Sequence, residues 1–484
     1  MQDIVRPDLF AIADRAMERY GFTPGFPDSV IRHVHAIRED ISPEDAVDLR
    51  HLLWSSIDNF DSMDLDQIGY CKKGPDETIH VLVAIADVDH YVVQGSPVDR
   101  HAAKHGTSIY TGIVTYPMLP DRLSADISSL LPEKDRMAVV IEYTVLPDGT
   151  TRSGGVYRAI VRNKAKLIYE EIGDWLLGIA PPPEPVRSNP NLMEQLLLQH
   201  DAAERMKENR AEQGVLDLET IEATPVMKDG TVVGLFVSED NPAHSLIEEF
   251  MIAANRTVVA FLAERSSSVI QRIVRTPRNW EGIVTEAAAR HMKLPKQPDA
   301  KALAKFLLAQ KRSNPESFPD LSLTIVKLIG PGEYIAVGPN EESLGHFALA
   351  VTDYTYGTAP NRRYFDLIIQ QLAKAILKKS PAPYTFDELN GLAEHLSATE
   401  KASKKVERFM RKVAAAVLLQ DRIGEIFEGL VTGAADKGTY VRIIDPPVEG
   451  RVMKNEGGLK IGRKVRVRLL KTDPENGFID FERI

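Results

Sequence analysis

Residues 51–73 read HLLWSSIDNFDSMDLDQIGYCKK, and Asp58, Asp61, Asp64 and Asp66 fall within nine positions of one another. The flanks, HLLWSSI and IGYCKK, are β-like, so the acids sit on a connection between two strands. Like charges this close repel, and each raises the pKa of its neighbours unless a cation intervenes. Short carboxylates on an irregular loop suit Mg²⁺, which takes few protein ligands and keeps room for water and phosphate. Two such ions activate a water and stabilise a leaving oxygen in phosphodiester hydrolysis. A solvated acidic loop and a calcium loop are the plainer readings. The calcium loop is the weaker: counting from Asp58, the sixth position is Met63 rather than glycine and the twelfth is Gly69 rather than glutamate.

Outward from this loop the texture is β from Ala46 to about Val161, with a hairpin signal at Pro147-Asp148-Gly149. Residues 164–215 read as mostly helical, broken by the proline-rich stretch Pro181–Pro185. A second hairpin signal, Lys228-Asp229-Gly230, precedes an expected helix over Pro242–Ser266, and mixed elements run to about Leu377. Helices are predicted at Asp387–Leu396 and Thr399–Ile426. Upstream, Arg6–Tyr20 and Asp28–Glu39 have helical texture and flank the breaker run GFTPGFPDS, with Asp28 or Ser29 as the expected cap. The C-terminal stretch alternates short β runs with glycine turns, the pattern of a small closed β-barrel.

Composition sets the frame. The chain has 484 residues, 43% hydrophobic and 26% charged, so two or three folded units are expected. Cys71 is the single cysteine, which excludes an internal disulfide and multi-Cys zinc sites. No window is apolar enough for a membrane span, and MQDIVRPDLFAIADR lacks the apolar core of a secretory signal, so a cytoplasmic setting is expected. A net charge of −10 argues weakly against nucleic acid, but the basic groups are local. Residues 422–484 carry twelve Lys/Arg against ten Asp/Glu, and Arg463, Lys464, Arg466, Arg468 and Lys471 crowd one strand region.

The surroundings of the acid loop resemble the ribonuclease II/ribonuclease R family. The carriers are Ile85–Val92, Gly95-Ser96, Asp99, Gly106-Thr107-Ser108, Tyr110, Pro117–Pro120, Leu123-Ser124, Asp126, Ser129-Leu130 and Arg136, then Ala165–Leu176, Ile247–Asn255 and His346–Leu367. The C-terminal segment resembles an OB-fold of the S1 type. The resemblance implies a mixed α/β catalytic RNB domain enclosing an RNA channel (46–420), a small helical N-terminal unit (1–45) and an OB-fold barrel (421–484).

It also implies an activity: 3′→5′ hydrolysis of single-stranded RNA to nucleoside 5′-monophosphates by a monomeric enzyme using Mg²⁺, with Mn²⁺ as an alternative ion. By resemblance Asp58, Asp64 and Asp66 hold the metal, Arg362 clamps the scissile phosphate, and Tyr169 packs on a terminal base. Arg363, Arg463, Lys464 and Arg466 are expected to bind RNA, although a structural ion pair is the plainer reading for one of Arg362 and Arg363.

Three departures matter. Gln67 stands where the family usually has a fourth aspartate; its amide offers a metal a neutral oxygen, and Asp61 is expected to restore part of the lost charge. Asn361 and Ala359 replace the usual isoleucine and serine. Helical residues replace the usual cold-shock domains. Gln67 keeps a rival open, an RNA-binding protein that retains the fold with weakened hydrolysis. A phosphoesterase acting on DNA or a small molecule is a further rival, opposed by the S1-type segment. The basic run Lys401, Lys404, Lys405, Arg408, Arg411 and Lys412 reads either as the solvated face of a helix or as part of an RNA entrance.

Overall fold

Asp8 accepts hydrogen bonds from the backbone N–H groups of Phe10 and Ala11 and so starts the first helix, α1 (Leu9–Arg19). The computed structural model describes residues 7–41, 45–219, 223–228, 230–237, 241–265, 267–339, 341, 343–435, 438–459 and 462–484. Helix α2 (Asp28–Ala36) follows the breaker run, but its cap position is Pro27, and Asp28 lies in the first turn instead. Proline in extended conformation ends the preceding loop, and an acid inside the first turn still meets the positive end of the helix.

The central sheet begins with β1 (Val47–Asp48), β2 (Trp54–Asp58), β3 (Gln67–Lys73) and β4 (Ile79–Ala86). Strand β4 is buried at every position but one, as its unbroken apolar run requires of a strand covered on both faces. Helix α3 (Pro97–His105), capped by Ser96, leads to a short ribbon of β5 (Ile109–Tyr110) and β6 (Thr115–Tyr116). The Pro147-Asp148-Gly149 turn joins β7 (Asp135–Val145) to β8 (Thr151–Ile168).

Strand β8 runs seven residues past Val161, where helix was expected from Lys164. Its last residues pair in parallel with β2, from Ser55 opposite Ala165 to Asp58 opposite Ile168. Tertiary pairing overrides the helical texture of AKLI. The sheet order is β1-β8-β2-β3-β4-β7, and β7 also pairs with β8, so the sheet curls back on itself.

Helices α4 (Tyr169–Leu176), α5 (Glu184–Arg187) and α6 (Pro190–Gln213) follow, with α5 starting inside the proline-rich stretch. Next come the hairpin β9 (Ala223–Lys228) and β10 (Thr231–Val237), and then α7 (Pro242–Ala263). Asp229 of the hairpin signal and Ser266 of the expected helix end lie outside the described residues. Strand β11 (Val269–Ile273) pairs with β12 (Glu333–Val337), and α8 (Trp280–Ala289), α9 (Ala300–Ser313) and α10 (Phe318–Ile329) pack around their own small core between them.

Helix α11 (Tyr364–Leu377) is buried for most of its length. Helix α12 (Phe386–Leu418) is one 33-residue helix where two were expected, and it stops eight residues short of Ile426. No glycine or proline interrupts Ser397-Ala398, and a capping box between Thr385 and Glu388 secures the start. The C-terminal strands β13 (Ile426–Ala435), β14 (Gly438–Ile443), β15 (Glu449–Lys454), β16 (Lys464–Asp473) and β17 (Phe478–Arg483) close a five-stranded barrel. Five strands closed this way form the OB-fold. Among the described residues no helix is long and apolar enough to cross a membrane.

Candidate active site

The acid loop between β2 and β3 is held by one internal bond and from two neighbouring segments. Ser62 Oγ donates to Asp58 Oδ1 at 2.6 Å. Lys166 Nζ, from β8, donates to the carbonyls of Phe60 and Ser62 at 2.8 and 2.6 Å. Ser129 Oγ donates to the Met63 carbonyl at 2.6 Å and accepts the Leu65 N–H at 2.9 Å. Ser129 is itself fixed by the buried Arg136, whose Nε donates to the Ser129 carbonyl at 2.9 Å. A loop crowded with aspartates is therefore pinned through its carbonyls and hydroxyls.

Asp66 stands at the mouth of β3 and is 1% exposed. Its Oδ1 accepts the backbone N–H of Asn361 at 3.0 Å, and its Oδ2 accepts Arg362 Nε at 3.2 Å. Burial pushes the Asp66 carboxyl up to about 7; Arg362 pulls against that, and the charge of Asp64 adds to it. Asp64 is also raised, first by burial and further by Asp58, with Arg362 opposing. Burial, more than the neighbouring acids, is therefore what raises both carboxyls, and Arg362 is the main opposing charge.

The Arg362 loop is zipped to the Gly106-Thr107-Ser108 motif: Tyr364 N–H donates to the Gly106 carbonyl, and Ser108 N–H to the Arg362 carbonyl, both at 2.9 Å. This brings the β5–β6 ribbon onto the acids, where Tyr110 Oη donates to Asp64 Oδ2 at 3.3 Å. Two cavities meet at this point. One of about 800 Å³ is lined by Asp61, Asp64, Tyr110, Asp121, Glu407 and Arg411 among others. The second, of about 200 Å³, is lined by Tyr110, Tyr334, Tyr356, Arg362, Arg363 and Glu407. Arg362 is 46% exposed and so couples a buried carboxylate to open space.

The other residues singled out in the sequence are placed as follows. Arg363 makes a bidentate pair with Asp366 at 2.8 Å and lies 4.3 Å over the Tyr356 ring; Asp366 also accepts the N–H groups of Thr358 and Ala359. Both arginines are thus in ion pairs with buried aspartates, Arg363 in the tighter one, and both line the smaller cavity. Gln67 is 7% exposed and shares a strand face with Gly69, which packs toward Gln199 and Phe250. Tyr169 packs on His244 at 4.1 Å and feels the charge of Asp58, which adds to the rise that burial gives its hydroxyl. It lines neither cavity, whereas Tyr110 lines both.

Arg463, Lys464 and Arg466 stand exposed on the barrel, Lys464 3.1 Å from Glu316. Of the basic run on α12, Arg411 lines the larger cavity and Lys404 the smaller. Sequence reasoning did not single out Tyr334, Tyr356 and Glu407: Tyr356 lies unremarked inside the His346–Leu367 block, and Tyr334 and Glu407 carry no local signal because the fold collects them from β12 and α12.

Residues 46–379 match the RNB domain, and residues 425–484 match the RNase II-type exonuclease C-terminal S1 domain. The chain belongs to the RNB family. It is 28% identical to ribonuclease R of Aquifex aeolicus over 99% of this chain and 71% of that one. Against several other ribonuclease R relatives it spans as little as 58% of their length. The apo form of Mycoplasma genitalium RNase R superimposes with a TM-score of 0.88 at 23% identity, covering 99% of this chain and 78% of that one. The yeast pseudonuclease Ssd1 shares the fold at a TM-score of 0.68 and 16% identity, covering 93% of this chain and 56% of that one.

The oxygen donors of Asp58, Asp64 and Asp66 are the kind a hard divalent cation prefers, and burial of Asp64 and Asp66 leaves their carboxylates little water to solvate them. Among the described residues no group of three His, Cys, Asp or Glu side chains is close enough to enclose a metal. The protein offers a partial set, as suits an ion that retains waters.

Proposed function

We propose that this protein is a magnesium-dependent 3′→5′ exoribonuclease that releases nucleoside 5′-monophosphates from single-stranded RNA. The observation that supports this most is the Asp66–Arg362 contact: a buried carboxylate and a half-exposed guanidinium meet beside Asp64, at a cavity wall. A fixed guanidinium is suited to a phosphodiester, because it neutralises charge developing on the phosphate oxygens without reorganising.

In this reading Asp58, Asp64 and Asp66 hold Mg²⁺, two ions in the full mechanism, with Mn²⁺ able to substitute. When bound, the ions supply the charge that activates a water and steadies the leaving oxygen. Arg362 orients the scissile phosphate, and Asp66 fixes Arg362. Tyr110 is better placed than Tyr169 to stack on the terminal base, which would let the site accept any sequence. The barrel face bearing Arg463, Lys464 and Arg466 tracks the upstream phosphates. The cytoplasm and a monomeric state complete the proposal.

A second reading is favoured by Gln67: an RNA-binding protein with the fold and little hydrolysis, a state the pseudonuclease of the same fold makes concrete. One experiment separates them. On 5′-labelled single-stranded RNA with Mg²⁺, the nuclease reading expects a shrinking ladder that EDTA and Asp66→Asn both abolish. Intact RNA retained by the protein would replace it with the binding reading.

A further inference from the structure

The larger cavity owes one side of its wall to three elements that do not belong to the central sheet. The β5–β6 ribbon contributes Tyr110 and Gly112, β9 contributes Thr224 and Pro225, and α12 contributes Glu407 and Arg411. These elements share a hydrophobic core of their own, separate from the core under the sheet. Ile109 and Tyr116 of the ribbon, Val232 of the hairpin, and Val406, Met410 and Val413 of α12 are buried in it.

Helix α1 inserts Leu9, Ile12, Ala13, Ala16 and Met17 into the same core, and Phe22 follows it there. Two polar ties complete the join. Tyr116 Oη donates to Asp14 Oδ1 at 2.7 Å, and Arg15 pairs with Glu475 of the barrel at 2.6 Å. Helix α1 lies outside the matched RNB region, which begins at residue 46.

We propose that α1 braces the active-site wall: it completes the core that clamps the β5–β6 ribbon to α12, with Asp14 as a positioning residue for Tyr110. The ribbon is short, two residues on each strand, and a pair of strands that size does not hold its shape unaided. Its register over the acid loop is maintained from one side by the backbone zipper to Arg362 and from the other by α1. Loosening α1 therefore frees Tyr110 from Asp64 while the sheet and the acid loop stay in place. The functional consequence rests on the nuclease reading; the mechanical one does not.

Hydrogen exchange of the full chain without RNA tests the brace directly. Asp14→Ala and Met17→Ala should speed exchange of the ribbon amides, residues 109–116, and leave β4 and β7 as in the wild type. Phe10→Ala, on the exposed face of α1, should change nothing. In RNA digestion, Asp14→Ala should lower kcat about five-fold with KM unchanged, the size expected of one net hydrogen bond. Asp14→Leu combined with Tyr116→Phe should recover much of that loss, since replacing both partners leaves no unpaired group. Unchanged ribbon exchange in Asp14→Ala and Met17→Ala would overturn the brace. So would a fall in kcat without it. An inactive wild type would count against the nuclease reading alone, and the exchange result would still decide the brace.

Discussion

Arginines and lysines occupy both the acid-loop site and the C-terminal barrel, in opposite circumstances. Arg362 reaches from open space to a carboxylate that burial has pushed up to about 7. Lys464 and Arg466 project from β16 into solvent, alternating with Val465 and with the buried Val467. In water-poor surroundings a charge interaction is several-fold stronger than at the surface, and it is sensitive to ångström displacements. In solvent the same charges are screened and act through their number. In the proposed function the site's charges therefore serve chemistry, and the barrel's serve affinity.

The largest effect expected from this contrast is in Asp66→Asn, which removes the proposed metal donor and the anchor of Arg362. Single-turnover rates on labelled RNA should fall about 10⁴-fold, as when a unit of coupled residues is broken, with RNA affinity little changed. Arg362→Ala should cost about 10²–10³-fold in kcat, the loss typical of one preorganised donor. A fall of only a few-fold in either would place the chemistry elsewhere. In the barrel, replacing Arg463, Lys464 and Arg466 together by alanine should leave kcat intact and weaken RNA binding, Lys464 also losing its exposed pair with Glu316. The salt dependence of binding should become shallower by about two units of slope, as three lost contacts on a single strand predict. An unchanged slope would remove these residues from the RNA path.

The smallest effect concerns stability. Glu249 is buried against Arg210 at 2.8 Å, and burial raises its carboxyl to about 7 even though Arg210 opposes the shift. A raised folded-state pKa means the contribution to stability is complete below the unfolded value of about 4.3 and is lost as pH rises through about 7. Glu249→Gln should therefore lose less melting temperature than the wild type between about pH 5 and pH 8. Parallel curves would show that the pair stays ionised throughout.

Much of this was legible in the residues, and the exceptions have physical causes. The barrel, the β7–β8 hairpin and the acid loop announce themselves through local pattern, because turn chemistry and alternation act over a few positions. The end of β8 was misread, because AKLI becomes strand only when β2 lies beside it. Arg362 and Arg363 are neighbours of the same type, and what separates them is Asp66, 296 positions away, for one and Asp366 for the other. The role of Ser129, holding Met63 and Leu65, is equally invisible along the chain. Tyr110 was noted as a motif residue, yet its place between two cavities depends on the zipper to Arg362.

Gln67 is where the account is most exposed. In the proposed mechanism Asp58, Asp64 and Asp66 with Arg362 are held to be sufficient without a fourth aspartate. The most direct measurement is a time course of 5′-labelled RNA with Mg²⁺, wild type beside Gln67→Asp. Both should shorten the RNA stepwise, with rates within about ten-fold of each other, a difference of about 1.4 kcal/mol. RNA left intact by the wild type but digested by Gln67→Asp would contradict this.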